Sequence, residues 1–240
     1  MIHYLIFDTE TNGLPAKGND FSLISMLELG YIIFDENFEI IKESNNLIKG
    51  NFNVPEIITT LTGITKEITE KEGNDINIVL KDFINDIRSV DYILAHNNRF
   101  DLGILKKELV INDSKYYFDE LILKKINLDT IQIFKKHIPK KIIGNYKLQT
   151  VFNHFNPNTD FIQTHRAIDD CHMVHKSLFH MKNEDNFCLN EYFFNKPISF
   201  GKYKKSKYNL KFIYKNDRNY FKFIFNKIYK VNYVKFLKFL

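Results

Sequence analysis

The chain has 240 residues, 44% of them hydrophobic and 26% charged, enough apolar material for one sizeable core and a small second unit. No run approaches the roughly 20 apolar residues of a membrane helix. Met1 to Tyr4 pass directly into a strand-like run with no leader pattern, so an intracellular location is expected. The formal charge of +5 is divided unevenly: Lys196 to Leu240 hold 13 basic residues and one acid, Asp217, a net +12, against 21 basic and 28 acidic residues, a net −7, in the rest. An acidic body suits metal-carboxylate chemistry and repels a polyanion, so affinity for nucleic acid has to come from local patches or from the basic tail.

The first element is an apolar run, Tyr4 to Phe7, broken at Asn12, Gly13 and Pro15. Alternation along a strand puts Asp8 and Glu10 on one face, where two ionised carboxylates repel unless a cation lies between them. A strand end with solvated acids gives the same short pattern, so further acids must arrive from elsewhere to make a site. Leu27–Ile33 and Phe38–Ile48 read as antiparallel strands around Asp35-Glu36-Asn37. Pro55 and Gly63 then bracket a short helix, Ile76–Ile87 has helical apolar spacing, and Val90–Ala95 is a second buried strand, so the sheet becomes partly parallel.

That strand runs into His96-Asn97-Asn98-Arg99-Phe100-Asp101. Asn98 is the expected N-cap, which sets Asp101 in a first helical turn at a strand's carboxyl end; the helix dipole alone would also favour an acid there. Asn127–Thr130 is expected as a short strand and cap, with helices over Ile131–His137 and Tyr146–Phe155. The third acidic segment is Thr164-His165-Arg166-Ala167-Ile168-Asp169-Asp170, opening an amphipathic helix through Ala167, Cys171, Val174 and Leu178, with Thr164 as its expected cap. Cys171 and Cys188 lack zinc-ligand spacing and disulfide density, and packing roles are expected for both.

Taken jointly, Asp8-x-Glu10, Asp101 behind a buried strand, and His165 five residues before Asp170 resemble the motifs of the DEDDh 3′-to-5′ exonucleases, the DnaQ-like group with proofreading polymerase subunits, ribonuclease T, oligoribonuclease and exonuclease X. The resemblance covers about Ile2 to Met181 and implies an α/β, ribonuclease H-like mixed sheet flanked by helices. It implies metal ligation by Asp8, Glu10, Asp101 and Asp170, with Asp8 bridging two Mg²⁺ or Mn²⁺ ions, and proton transfer by His165. Two ions about 4 Å apart suit phosphodiester hydrolysis, and an all-oxygen donor set suits these hard cations. Asp169 adjoins Asp170, and the spacing from the His that the resemblance implies selects Asp170.

Substrate contacts implied by the same resemblance are Thr11, Leu14, Leu61, Thr62, Ile64, Asn98 and Phe100, with Leu14 and Phe100 packing on terminal bases. The implied reaction releases nucleoside 5′-monophosphates from single-stranded 3′ ends, DNA favoured because Phe200-Gly201-Lys202-Tyr203-Lys204 resembles the module after exonuclease X-like domains. The alternatives are an exoribonuclease and a binding or polymerase-associated subunit with vestigial chemistry. A homodimer or a polymerase association is left open, and no membrane partner is expected. The expected organisation is a catalytic domain over 1–182, a linker over 183–195, and a small basic module over 196–240. That module is drawn as a hairpin and a helix from about Arg218, with Lys among Tyr and Phe available to phosphates and bases.

Overall fold

In the computed structural model, residues 1–18, 20–204 and 208–239 are described. The expected Lys205-Ser206-Lys207 part of the basic tail lies outside them. The chain divides into a larger unit, Ile2–Leu178, and a smaller one, Phe179–Leu240 together with Met1.

The larger unit is built on five strands, β1 (His3–Thr11), β2 (Met26–Asp35), β3 (Ile40–Leu47), β4 (Tyr92–Ala95) and β5 (Ile126–Asp129). They lie in the order β3-β2-β1-β4-β5, with β1, β2 and β3 antiparallel and β4 and β5 parallel to β1. Helices α1 (Glu56–Thr62), α2 (Lys66–Glu72) and α3 (Ile76–Ser89) bridge β3 to β4, while α4 (Asn98–Ile111) and α5 (Lys115–Glu120) bridge β4 to β5. After β5 come α6 (Thr130–His137), α7 (Lys140–Ile143), α8 (Leu148–Phe155) and the long α9 (Ala167–Asp185). This is the expected mixed sheet with helices on both faces.

Strand alternation decides which face each residue serves. Leu5 and Phe7 of β1 join Leu29, Tyr31 and Ile33 of β2 in a core completed by Val79, Leu80, Phe83, Ile84 and Ile87 of α3 and by Ile104, Leu105 and Leu109 of α4. Burying such side chains stabilises by about 1.5–3 kcal/mol each, so the helical period of α3 is what seats it. The other parity, Tyr4, Ile6, Asp8 and Glu10, turns to the face that receives α9. There the Cys171 thiol lies 3.8 Å from the Ile6 carbonyl and 3.5 Å from that of Gly30, and Phe34 meets His175 edge-on at 5.0 Å.

Gly30 permits that approach, because a Cβ on it would lie 2.6 Å from the backbone of both Ala167 and Ile168. Gly63 ends α1 in the left-handed conformation, φ 70°, as its position after the helix predicts.

Three local expectations are corrected. The N-cap of α4 is Asn97, φ 74°, and not Asn98, which is the first helical residue and is buried. The expected linker over 183–195 is largely helical: α9 continues to Asp185, and α10 (Leu189–Asn195) buries Leu189, Tyr192, Phe193 and Phe194. The division also falls earlier than residue 182, after Leu178.

In the smaller unit, Phe194 contacts Phe225 and Phe236, at 6.0 and 5.9 Å between ring centroids, so the aromatic run of α10 belongs to its core. The expected hairpin is reduced to a bridge between Pro197 and Asn209, and the chain then forms α11 (Leu210–Asn216) before the expected helix, α12 (Arg218–Phe223). Among the described residues, no helix is long and apolar enough to cross a membrane.

Candidate active site

Three segments far apart in sequence converge at the carboxyl end of β1. Carboxylate oxygens of Asp8, Glu10 and Asp170 all lie within 4.8 Å of one another. β1 supplies the first two on one face, and the register shift between Glu10, paired with Glu28, and Thr11, paired with Met26, marks a bulge at the end of the strand. Asp170 comes from the first turns of α9, drawn in over Gly30. Its neighbour Asp169 is turned aside, accepting a 2.7 Å hydrogen bond from the Thr164 hydroxyl. Thr164 therefore binds a side chain of the helix where a cap was expected.

Asp101, in the first turn of α4, is held from below: its Oδ1 accepts from the Thr9 amide at 3.1 Å and the Thr9 hydroxyl at 2.8 Å. It is 2% exposed and so buried like Asp170, while Asp8 and Glu10 are half-buried.

Burial and mutual repulsion leave these groups reluctant to ionise. Burial, then Asp101, Asp170 and Glu10, pushes Asp8 well above the usual carboxylate range. Burial and Asp170 push Glu10 up to about 9. Asp101 rises to about 7 through burial, against the Thr9 hydrogen bonds, and Asp170 rises to about 7 through burial, against a hydrogen bond from Gln163. One oxygen of Asp170, Oδ1, is buried with no hydrogen-bond partner. Clustered, desolvated oxygen donors with an orphaned acceptor among them fit a hard divalent cation.

One acid in the same region is provided for differently. Glu28 stands opposite Glu10 in the β1–β2 register and is 0% exposed. Like charges across a strand pair destabilise it. Here Glu28 takes a forked contact from Arg166, with Nε 3.0 and 3.1 Å from its two oxygens and Nη2 on Oε1. The Ala167 amide at 2.9 Å and the Asn45 side chain at 3.0 Å complete its shell. Arg166 thereby links β2 to the start of α9 directly after His165, whose backbone is left-handed at φ 51°. His165 is half-buried.

Sequence reasoning missed Glu28, Arg166 and Gln163. A readable signal existed for the first, an acid inside the otherwise apolar Met26–Phe34 run, since a buried charge requires a partner. Gln163 donates to Asp170 Oδ2 at 2.5 Å, while its own amide donates to Gln149. Nothing in the local pattern marked that pair.

The substrate-contact candidates fall into two groups. Leu14 and Leu61 are exposed, at 81% and 48%, and Phe100 is half-buried with its ring 5.8 Å from Phe21. Thr11, Thr62 and Ile64 are buried: the Thr11 hydroxyl donates to Gly13, and Thr62 donates to Ile58 and accepts from the Ile64 amide. Asn98 is buried with Oδ1 lacking a partner.

A family model described as Exonuclease (RNase_T) matches residues 5–178, a span holding all four acids and His165. The chain belongs to this DnaQ-like exonuclease family. Among curated relatives, the PolC-type DNA polymerase III of Clostridium perfringens is 30% identical over 167 residues, 70% of this chain and 10% of the relative. The 3′-5′ exonuclease DinG of Bacillus subtilis is 26% identical over 171 residues, 71% of this chain and 16% of the relative. The chain thus spans a small part of the length of the relatives it matches.

Among solved structures, E. coli Exonuclease I in complex with a dT13 oligonucleotide aligns with a TM-score of 0.64 at 17% identity, over 81% of this chain and 44% of that one. Exonuclease X in complex with 5′ overhanging duplex DNA aligns at 0.52 and 16%, over 77% and 93%. These likenesses establish the fold. Membership of the exonuclease family supports a nuclease activity on nucleic acid, and the acid cluster fits the divalent metal that this family generally uses.

Proposed function

We propose that the chain is a metal-dependent 3′-to-5′ exonuclease that releases nucleoside 5′-monophosphates, with DNA favoured over RNA. The observation that carries this reading is the meeting of Asp8, Glu10 and Asp170 within 4.8 Å, with Asp101 buried beside them and His165 five residues ahead of Asp170. Two divalent ions held by these four acids would supply positive charge against the phosphodiester and against the negative charge that develops as its P–O bond breaks.

The remaining work belongs to the chain. His165 accepts the proton of the attacking water, the role of a general base whose imidazole nitrogen has a free lone pair. Arg166, fixed on Glu28, sets the entry to α9 and so the position of both His165 and Asp170. Thr9 orients Asp101. Leu14 and Leu61 offer exposed apolar surface for terminal bases, and the orphaned Asn98 Oδ1 is an acceptor awaiting a donor.

The small unit contributes affinity. Arg218 stacks 3.7 Å from the Tyr214 ring centroid, and the Tyr208 and Phe212 rings lie 3.7 Å apart and nearly parallel, a combination of cation and ring faces that suits single strands. Because α10 supplies core to this unit, its role is read by replacing the exposed Lys222, Lys227 and Lys230 with Gln and not by cutting the chain.

The deciding experiment uses oligonucleotides labelled at the 5′ end, as single-stranded DNA, duplex DNA and RNA, with Mg²⁺ or Mn²⁺. A ladder shortening from the 3′ end with mononucleotide product is expected, fastest on DNA. Internal cuts, or shortening from the other end, would overturn the direction, and faster loss of RNA would overturn the preference.

A further inference from the structure

A cavity of about 440 Å³ opens beside the carboxyl ends of β4 and β5, lined by His96, Lys135, Lys140, Tyr146 and Lys147 among others. We propose that it is a phosphate-binding subsite holding the sugar-phosphate backbone of the strand whose end is cut at the acid cluster. The inference deepens the nuclease reading above and rests on it for the identity of the strand.

The charge pattern is the first support. Residues 2–178 carry 20 basic and 25 acidic residues, a net −5, yet the 30 residues from Thr130 to Thr159 contain five lysines and no acid. Three of the five line the cavity, and among the described residues none of these three forms an ion pair. In an acidic body that repels a polyanion, this is a local reversal of sign at the strand ends where such folds place ligands.

The cavity is also pre-formed. Tyr146 is fixed at both ends, its carbonyl accepting from His96 Nε2 at 2.9 Å and its hydroxyl donating to the Ile138 carbonyl at 2.6 Å. Because that carbonyl can only accept, Nε2 carries the proton. Burial holds the ring neutral, so Nδ1 accepts from the Thr130 hydroxyl at 2.9 Å. Lys135 Nζ sits 5.8 Å from the Tyr146 ring centroid. A fixed ring bordered by ammonium groups can take a sugar or base against its face while the lysines meet the phosphates. His96 continues through Asn97 into α4, which carries Asp101, so the cavity adjoins the segment that builds the acid cluster.

The test compares a Lys135→Gln/Lys140→Gln/Lys147→Gln variant with a control of equal net charge, Lys66→Gln/Lys71→Gln/Lys115→Gln, which changes exposed lysines elsewhere. Binding of a fluorescent single-stranded oligonucleotide is followed by anisotropy in EDTA over a range of salt, so that no turnover is needed. Each phosphate left without its lysine removes about 0.7 from the slope of log K against log salt, so the cavity variant should be shallower by roughly 2 and the control unchanged. With Mg²⁺, kcat/KM on long oligonucleotides should fall while turnover of a dinucleotide persists.

Equal slopes in the two variants overturn the proposal. Loss of mononucleotide binding with an unchanged oligonucleotide slope also overturns it, and assigns the cavity to a free 5′-nucleotide. If no substrate is cleaved but the slope changes as expected, the nuclease reading fails and the subsite stands.

Discussion

Glu10 and Glu28 face each other across the β1–β2 pair, yet their surroundings differ. Glu28 is surrounded by donors from its own chain, the Arg166 fork, the Ala167 amide and the Asn45 amide group. Glu10 stands among Asp8, Asp101 and Asp170, and burial with the Asp170 charge pushes its carboxyl up to about 9. A structural acid is neutralised by the fold, whereas the clustered acids are gathered without enough positive charge to balance their ionised forms. Their balance has to come from solution.

The widest separation of the two environments is expected from Asp8→Asn. It should lower turnover by more than the roughly 10–100-fold typical of losing an outer-shell partner, while the metal-free protein melts no lower than wild type because a carboxyl that burial and its acid neighbours keep from ionising gives way to a neutral amide. Near-normal turnover in saturating Mg²⁺ would end the metal-ligand assignment.

His165→Ala comes next, with a loss of about 10²–10⁴-fold, the usual range for a general base. Metal affinity, read by calorimetry, should hold; a parallel loss of metal binding would make His165 part of the cation site.

On the Glu28 side the readout is stability. Arg166→Met leaves a fully buried carboxylate unpaired and should cost about 3–5 kcal/mol in urea unfolding. The double variant Glu28→Gln/Arg166→Met should recover part of that loss, and additive losses would mean that the pair is not coupled.

The smallest effect is on pH. Raised carboxylate values stabilise the metal-free fold in acid, and that contribution fades as pH climbs from the ordinary value of Glu, 4.5, toward the 9 of Glu10. The melting temperature in EDTA should therefore decline from mildly acidic to alkaline pH, and Glu10→Gln should flatten the decline. An unchanged slope in that variant would place the effect in other groups.

Much of the fold was legible because it depends on period. Leu5 and Phe7 against Asp8 and Glu10, and the α3 stripe of Val79, Leu80, Phe83, Ile84 and Ile87, follow from alternation and helical spacing alone. The acids were legible because three weak motifs reinforce one another. What escaped depends on residues distant in sequence. Asn97 and Asn98 are equally able to begin a helix, and only the tertiary burial of Asn98 assigns the cap to Asn97. Asn183–Asn186 looks like a linker until the aromatic core of the smaller unit claims Phe193 and Phe194. Glu28 and Arg166 are 138 residues apart, and no local pattern joins them.

Gly30 has a wider consequence. The spacing between the strand that carries two of the acids and the helix that carries the third is set by a single absent carbon, since a methyl there would stand 2.6 Å from the backbone of Ala167 and Ile168. Drift at this position is therefore not absorbed as a local repacking. It displaces the start of α9, and with it His165 and Asp170 together, so residue 30 acts as the gauge block against which the two halves of the acid cluster are aligned.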